Sequence, residues 1–271
     1  MVSINTSNNG VALAALRRVN NELNNTQNRI ATGYRVNSAK DNAAVWATAT
    51  KIRSDATASD AVKSGISTAK AQVDAAVSAL DEISSLVEEV SAIQAAITAS
   101  GVAATDAQGK QVKAIAAQIT ALIDSAGVGG KNILKTGNNL AVATGVADGA
   151  LTGTISYTSA APTAGAGMTE LMAIDDGTKL TAFIAADMTA AKDEISALTS
   201  QLGAMSKGFD SSLNFLDKMA DIRTNALGGL IDADMERETA KMQALQVRQQ
   251  LAYQALSMTS NSAQNILMLF R

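Results

Sequence analysis

The sequence predicts a mainly α protein, a long-helix coiled-coil bundle formed by the N- and C-terminal regions together, with a small mid-chain β-hairpin. Three observations carry this. Proline, which helix interiors exclude, occurs once in 271 residues, at Pro162. Aromatics make up 3% of a chain that is 47% hydrophobic, so much of the apolar content is alanine, suited to helices packed at close range. Apolar residues also recur in alternating steps of three and four, the spacing of a helix that lies along another.

From the N-terminus, the first seam is Ala12, Leu16, Val19, Leu23, Thr26, Ile30. Gly33 is a natural stop, and Tyr34 to Asn37 reads as a linker. Ser38-Ala39-Lys40-Asp41 fits the capping box that opens a helix, with Asp in place of the usual Glu or Gln. The helix that follows is the longest, with a seam from Val62 through Ile66, Ala69, Val73, Ala76, Leu80, Ile83 and Val87 to Val90, ending near Ser100-Gly101. A shorter one, from about Asp106 to Ala126, repeats the spacing at Val112, Ile115, Ile119 and Leu122 and stops at Gly127, Gly129 and Gly130, giving an αα-hairpin.

Residues 131–177 lose helical periodicity and read as an exposed hairpin and loop region. Leu140 to Val146 and Leu151 to Thr158 alternate in polarity around Ala147-Asp148-Gly149-Ala150, and Asp-Gly favours a β-turn. Helix resumes near Thr178 with Ile184, Met188, Ala191, Ile195, Leu198, Leu202, Met205, Phe209, Ser212, Leu216 and Met219, and Gly228-Gly229 is expected to end it. The last stretch, from Asp232, has no Pro or Gly; its seam is Met235, Glu238, Met242, Leu245, Gln249, Ala252, Leu256, Thr259, Ala263, Ile266, Phe270. At 1.5 Å per residue it spans about 60 Å and cannot bury that seam against itself. The economical partner is the N-terminal helix. This divides the chain into 1–33 plus 230–271 as a two-helix coiled coil, 38–130 plus 178–229 as a three-helix bundle, and 131–177 as the exposed hairpin region.

Composition narrows function. With no Cys and no His, thiol nucleophiles, disulfides, His acid–base chemistry and most zinc, copper or haem sites are excluded, and no cofactor is expected. No constellation supplies a nucleophile with a base, so the chain reads as no enzyme. Net charge is −3, giving no case for nucleic acid or an anionic membrane, and no run approaches a membrane span. An exported chain of this kind would leave without a cleaved hydrophobic leader. The first 53 residues hold seven basic groups (Arg17, Arg18, Arg29, Arg35, Lys40, Lys51, Arg53) against two acidic, a solvated face more often than a partner site. Asp232, Asp234, Glu236 and Glu238 lack the frame of a calcium loop and favour the helix dipole instead.

A lone two-helix rod is marginal, because ordering each residue costs about 1–2 kcal/mol and several seam positions are Ala, Thr or Gln. Off-seam Leu13, Val247, Leu251, Tyr253, Met258, Leu267 and Leu269 need cover that one partner helix cannot give. The self-assembly seam is therefore assigned to Leu16, Val19, Leu23, Ile30, Met242, Leu245, Leu256, Ile266 and Phe270, and an inter-subunit face to Leu13, Leu251, Leu267 and Leu269.

Both ends resemble the bacterial flagellins: the INT opening, QxRIxTG at Gln27–Gly33 and xRxNSAKDNAA from Tyr34, then DADM at Asp232, QALQxRQQL at Gln243 and NILxLFR at Asn265. The resemblance implies a structural subunit that polymerises into the filament bacteria rotate for swimming, secreted unfolded through the flagellar type III channel to the extracellular filament. In that setting the terminal coiled coil is the inner core and the three-helix bundle the outer core. Implied partners are further copies of itself, an export chaperone at the C-terminal region, and hook-associated and cap proteins. A hook–filament junction protein is the alternative, and an adhesin carried by 131–179 a reading of another class. Flagellins detected by Toll-like receptor 5 carry an arginine-bearing QRxRExxxQ segment. The matching stretch here, Leu86 to Gln94, is acidic at Glu88 and Glu89, so weak or no recognition by that receptor is expected.

Overall fold

The structure, a computed structural model, describes the backbone of residues 3–147, 149–183 and 185–269, and the side chains of 10–11, 13–147, 149–183 and 185–258. Its elements are α1 (Ser3–Thr32), α2 (Ala43–Ser100), α3 (Asp106–Ser125), β1 (Leu140–Ala147), β2 (Ala150–Tyr157), a 3₁₀ turn (Pro162–Ala164), α4 (Ala166–Met172), α5 (Gly177–Ala182), α6 (Ala185–Ile231) and α7 (Met235–Leu269). They form two compact units: one up to Arg53 and from Ile222 onward, the other Ser54–Asp221.

The second unit has one core. Every position of the predicted α2 seam, Val62 to Val90, is buried, together with Val112, Ile115 and Ile119 of α3 and Met188, Ala191, Ile195, Leu198, Leu202, Phe209 and Leu216 of α6. Ile184 lies outside the described residues. Polar links on the flanks of α2 and α6 set them antiparallel: Lys63 donates to Asp217, Lys70 to Ser206 at 3.0 Å, and Lys192 to Ser91 at 2.9 Å. The bond from Lys63 to the Asp217 carboxylate holds the lysine ammonium above its ordinary range. Thr105 and Gln108 form a full capping box that opens α3. Beyond α3, Gly129 and Gly130 take φ of 63° and 79° in a tight turn closed by paired backbone bonds between Val128 and Lys131, so these glycines serve the turn. The hairpin forms as predicted, antiparallel with Leu140 opposite Tyr157 and Ala147 opposite Ala150, and Gly149 supplies φ of 77° at its turn.

Four expectations need correction. First, Ser38 does not open a helix: α2 begins at Ala43, with the Asn42 side chain accepting the Val45 N–H at 3.1 Å. Asp41 instead accepts the N–H groups of Asn37 and Ser38, and those bonds, the Asn37 one foremost, hold its carboxyl below the ordinary range. Second, Gly228-Gly229 do not end a helix, because α6 runs through both to Ile231. Third, Tyr34 to Asn37 is no free linker: Tyr34 bridges Asp232, and Val36 is buried. Fourth, 131–177 is not simply exposed, nor does one helix start at Thr178.

Within that region Ile133, Leu134, Met168, Leu171 and Ile174 are 0–2% exposed and belong to the core. The short α4 and α5 have too few turns to show a period, so alternating burial went unread. Their approach depends on glycine. A Cβ at Gly167 would sit 2.4 Å from the Ala191 nitrogen, and one at Gly109 2.2 Å from the Asp176 carbonyl carbon. The Glu194 carboxylate accepts the Gly167 and Met168 N–H groups, tying α4 to α6.

Gly167→Ala is therefore expected to lower stability by about 1–3 kcal/mol, because backbone rather than a movable side chain must give way. Gly203→Ala, in α6 with open space around its Cβ, should raise stability by about 0.5–1 kcal/mol. Urea unfolding followed by circular dichroism distinguishes the two.

Candidate self-assembly surface

In the first unit α1 and α7 run antiparallel, closed at one end by backbone bonds. The Arg35 and Val36 N–H groups both donate to the Ile231 carbonyl, at 2.6 and 3.3 Å, and the Ala233 N–H donates to Gly33 at 2.8 Å. Gly33 can accept there because its φ of 73° turns the chain sharply out of α1. The Arg35 guanidinium donates to the Leu230 carbonyl at 2.8 Å. A small cluster of Val36, Ala49 and Ile231, with Val45, Trp46, Leu227 and Leu230, packs beside this crossing. Arg53 lies 5.5 Å from the Trp46 ring centroid and 6.0 Å from that of Tyr34.

Away from the crossing, the seam is placed as follows. Leu16 is 8% and Leu245 2% exposed; Val19, Leu23, Ile30, Met242 and Leu256 are half-buried. Phe270 lies outside the described residues, and the side chains of Ile266 and of Leu267 and Leu269 of the outward face lie outside the described side chains. Met235, the first residue of the predicted C-terminal seam, is 42% exposed, since it stands in the opening turn of α7, next to the Asp234 carboxylate that caps it by accepting the Arg237 N–H. Leu13 is 40% and Leu251 57% exposed, and Val11, Val247, Tyr253 and Met258 are also open to solvent.

Two polar pairs on this interface were not anticipated as pairs. Arg29 donates through Nη1 to Glu238 Oε1 at 3.2 Å, and Gln249 donates through Nε2 to Asn20 Oδ1 at 2.7 Å. The signal was present, because Glu238 and Gln249 fall on seam positions by spacing alone. Of the N-terminal basic groups, Arg29, Arg35 and Arg53 are thus used inside their own unit. The acidic group of α7 does not converge: Glu238 turns into the seam, and Asp234 caps. Among the described residues no three His, Cys, Asp or Glu side chains could share a metal ion. No described helix is long and apolar enough to cross a membrane. A polar cleft of about 340 Å³ is lined by Asn28, Arg29, Tyr34, Arg35 and Asp41.

Two long terminal helices paired along a thin seam, with apolar side chains left outside, are the geometry of a chain that packs on copies of itself. The family profile of the bacterial flagellin N-terminal helical region matches residues 3–139, and that of the C-terminal helical region matches 186–270. A flagellin of Brucella melitensis biotype 1 is 35% identical across the whole of both chains. Flagellin FljO of Caulobacter vibrioides is 33% identical over 99% of this chain and 98% of its own. Flagellin C of Rhizobium meliloti is 32% identical over 96% of each. The chain belongs to the bacterial flagellin family. This flagellin is a structural subunit of the extracellular flagellar filament, a polymer of like copies, and a junction role is not favoured. The family is structural, in keeping with a chain read as no enzyme.

Burial separates the two kinds of leucine on α7 of this flagellin. Leu245→Ala is expected to lower first-unit stability by about 2–5 kcal/mol. Leu251→Ala should change it by no more than about 0.5 kcal/mol. Denaturant titration read through Trp46, the single tryptophan, measures both.

Proposed function

We propose that filament contacts of the inner layer are made by the outward residues of α1 and α7, with Leu13 and Leu251 at their centre and Leu267 and Leu269 continuing the face beyond the described side chains. One observation carries this: apolar side chains on a soluble helix pair stand 40–71% exposed, at Val11, Leu13, Val247, Leu251, Tyr253 and Met258. Scattered apolar residues need no explanation, but several on two paired helices favour a partner surface. In this reading residues 1–33 with 230–271 form the inner core of the filament and 38–130 with 178–229 the outer core. Residues 131–177 complete the outer core, which argues against a detachable adhesin.

The finer partners follow from the same surface. Before assembly the apolar side of α7 needs cover, which suits an export chaperone at the C-terminal region during type III secretion. Cap and hook-associated proteins would meet the same helix ends at the filament tip and base. The stretch Leu86 to Gln94 buries Val87 and Val90 and leaves Glu88 and Glu89 in solvent, an acidic face unsuited to a receptor that reads arginine. Nothing in this reading calls on nucleic acid, a membrane or a cofactor.

Leu13→Asp with Leu251→Asp should abolish polymerisation of the purified chain, measured by sedimentation and negative-stain microscopy, while its unfolding midpoint stays close to the parent's. Normal filaments from that variant would refute the assigned face. In a Toll-like receptor 5 reporter assay the parent should fall far below a strong flagellin agonist, and an equal response would overturn that expectation.

A further inference from the structure

The apolar seam of α1 and α7 does not by itself fix how far one helix slides along the other. Its positions repeat every seven residues, so a slip of one heptad again sets apolar residues against apolar residues. The polar pairs do not repeat. From Arg29–Glu238 to Asn20–Gln249 the chain steps nine residues back along α1 and eleven forward along α7, so both pairs belong to one antiparallel register. Slide α7 by seven residues one way and Leu245 faces Arg29 while Leu256 faces Asn20. Slide it the other way and Met242 faces Asn20 while Arg29 is carried past the start of α7. Either slip sets the half-buried Arg29 or Asn20 against apolar side chains and takes from the buried Glu238 its partner, a costly outcome for polar groups withdrawn from water.

Glu238 makes the discrimination steep. It is 7% exposed, and among the described residues Arg29 is its one ion-pair partner and its second carboxylate oxygen, Oε2, is buried without a hydrogen bond. A carboxylate held on a single contact loses all of its compensation when that contact is lost.

We propose that Arg29–Glu238 and Asn20–Gln249 set the register of the terminal helix pair, and so ensure that every copy presents the same outward face to the next. The consequence for assembly rests on the filament reading above; the register itself does not. The chain contains no cysteine, so introduced pairs report register cleanly. Leu23→Cys with Leu245→Cys lies between the two links and reads the observed register, and Leu23→Cys with Ala252→Cys reads a slip of one heptad. Both are oxidised in the full-length soluble chain and scored as intrachain crosslinks on non-reducing gels. In the parent background the first pair should close and the second should not. With Arg29→Leu, Asn20→Leu, Glu238→Leu and Gln249→Leu added, both should close to comparable yields. Selective closure of the first pair in that background overturns the proposal, as does closure of both pairs, or of neither, in the parent. Should the fourfold variant lose helicity by circular dichroism, the charge swap decides. Arg29→Glu and Glu238→Arg should each lose the in-register crosslink alone and recover it together; no recovery overturns the proposal. If the parent passes these tests while Leu13→Asp with Leu251→Asp still forms normal filaments, the assigned outward face is refuted and the register assignment stands.

Discussion

The first unit depends on one crossing of the chain, where Gly33 to Val36 lie against Ile231 to Ala233. Three backbone bonds among five residues meet there, and the Ile231 carbonyl accepts two N–H groups at once. Backbone bonds of this kind are indifferent to side-chain identity but strict about position. They fix where α1 ends and where α7 begins, and leave the alignment of the two helices farther along to the contacts between them. Val36, Ala49 and Ile231 then dry the crossing, and Arg53 covers Trp46 and Tyr34 with its guanidinium. Without this closure the two terminal helices would be separate amphipathic rods joined only through a chain of more than two hundred residues. The loop entropy of bringing such ends together is modest in principle but must be met by contacts that a seam of Ala, Thr and Gln supplies sparingly.

The long elements were legible in the sequence because period is a strong signal over many turns. The α2 seam from Val62 to Val90 was read residue by residue, and every position is buried. The hairpin was legible through Asp-Gly and its flanking alternation, and the opening of α3 to within a residue. Illegible were the places where local chemistry yields to tertiary contact. Gly228-Gly229 has the form of a helix stop, yet α6 continues, since its end is set three residues on by the crossing rather than by propensity. Ser38 to Asp41 has the letters of a capping box. Asp41 does take the Ser38 N–H, but it also takes that of Asn37, and the chain turns before α2 opens on Asn42. In the segment around α4 and α5 the buried residues are close in space to α3 and α6 but too few in sequence to show a pattern.

Between α1 and α7 the described seam residues from Leu16 to Ile30 and from Met242 to Leu256 were legible, while the exposed Met235 and the polar pairings were not. A seam written as a list of apolar positions treats Glu238 and Gln249 as blemishes. Their partners, Arg29 and Asn20, sit on the other helix more than two hundred residues away, and no local period links them. Polar groups at seam positions sacrifice stability for uniqueness, and the trade makes sense where the helices are the contact surface as well as the scaffold. A slipped pair in a soluble monomer would be one misfolded molecule. In a polymer, on the proposed outward face, it would be a copy whose leucines miss their places on the next.

That same reasoning accounts for the contrast between the two units. The second buries a continuous core from three long helices, the hairpin and the glycine-packed segment that holds α4 and α5, and reinforces it with Lys–Asp links along α2 and α6. The first buries little and leaves Val11, Leu251 and Met258 more than half exposed. A monomer selected for its own stability would have traded those side chains for polar ones or thickened the core beneath them. Keeping them exposed fits the proposal that their burial is deferred to contact with other copies, which would make the first unit one part of a larger core.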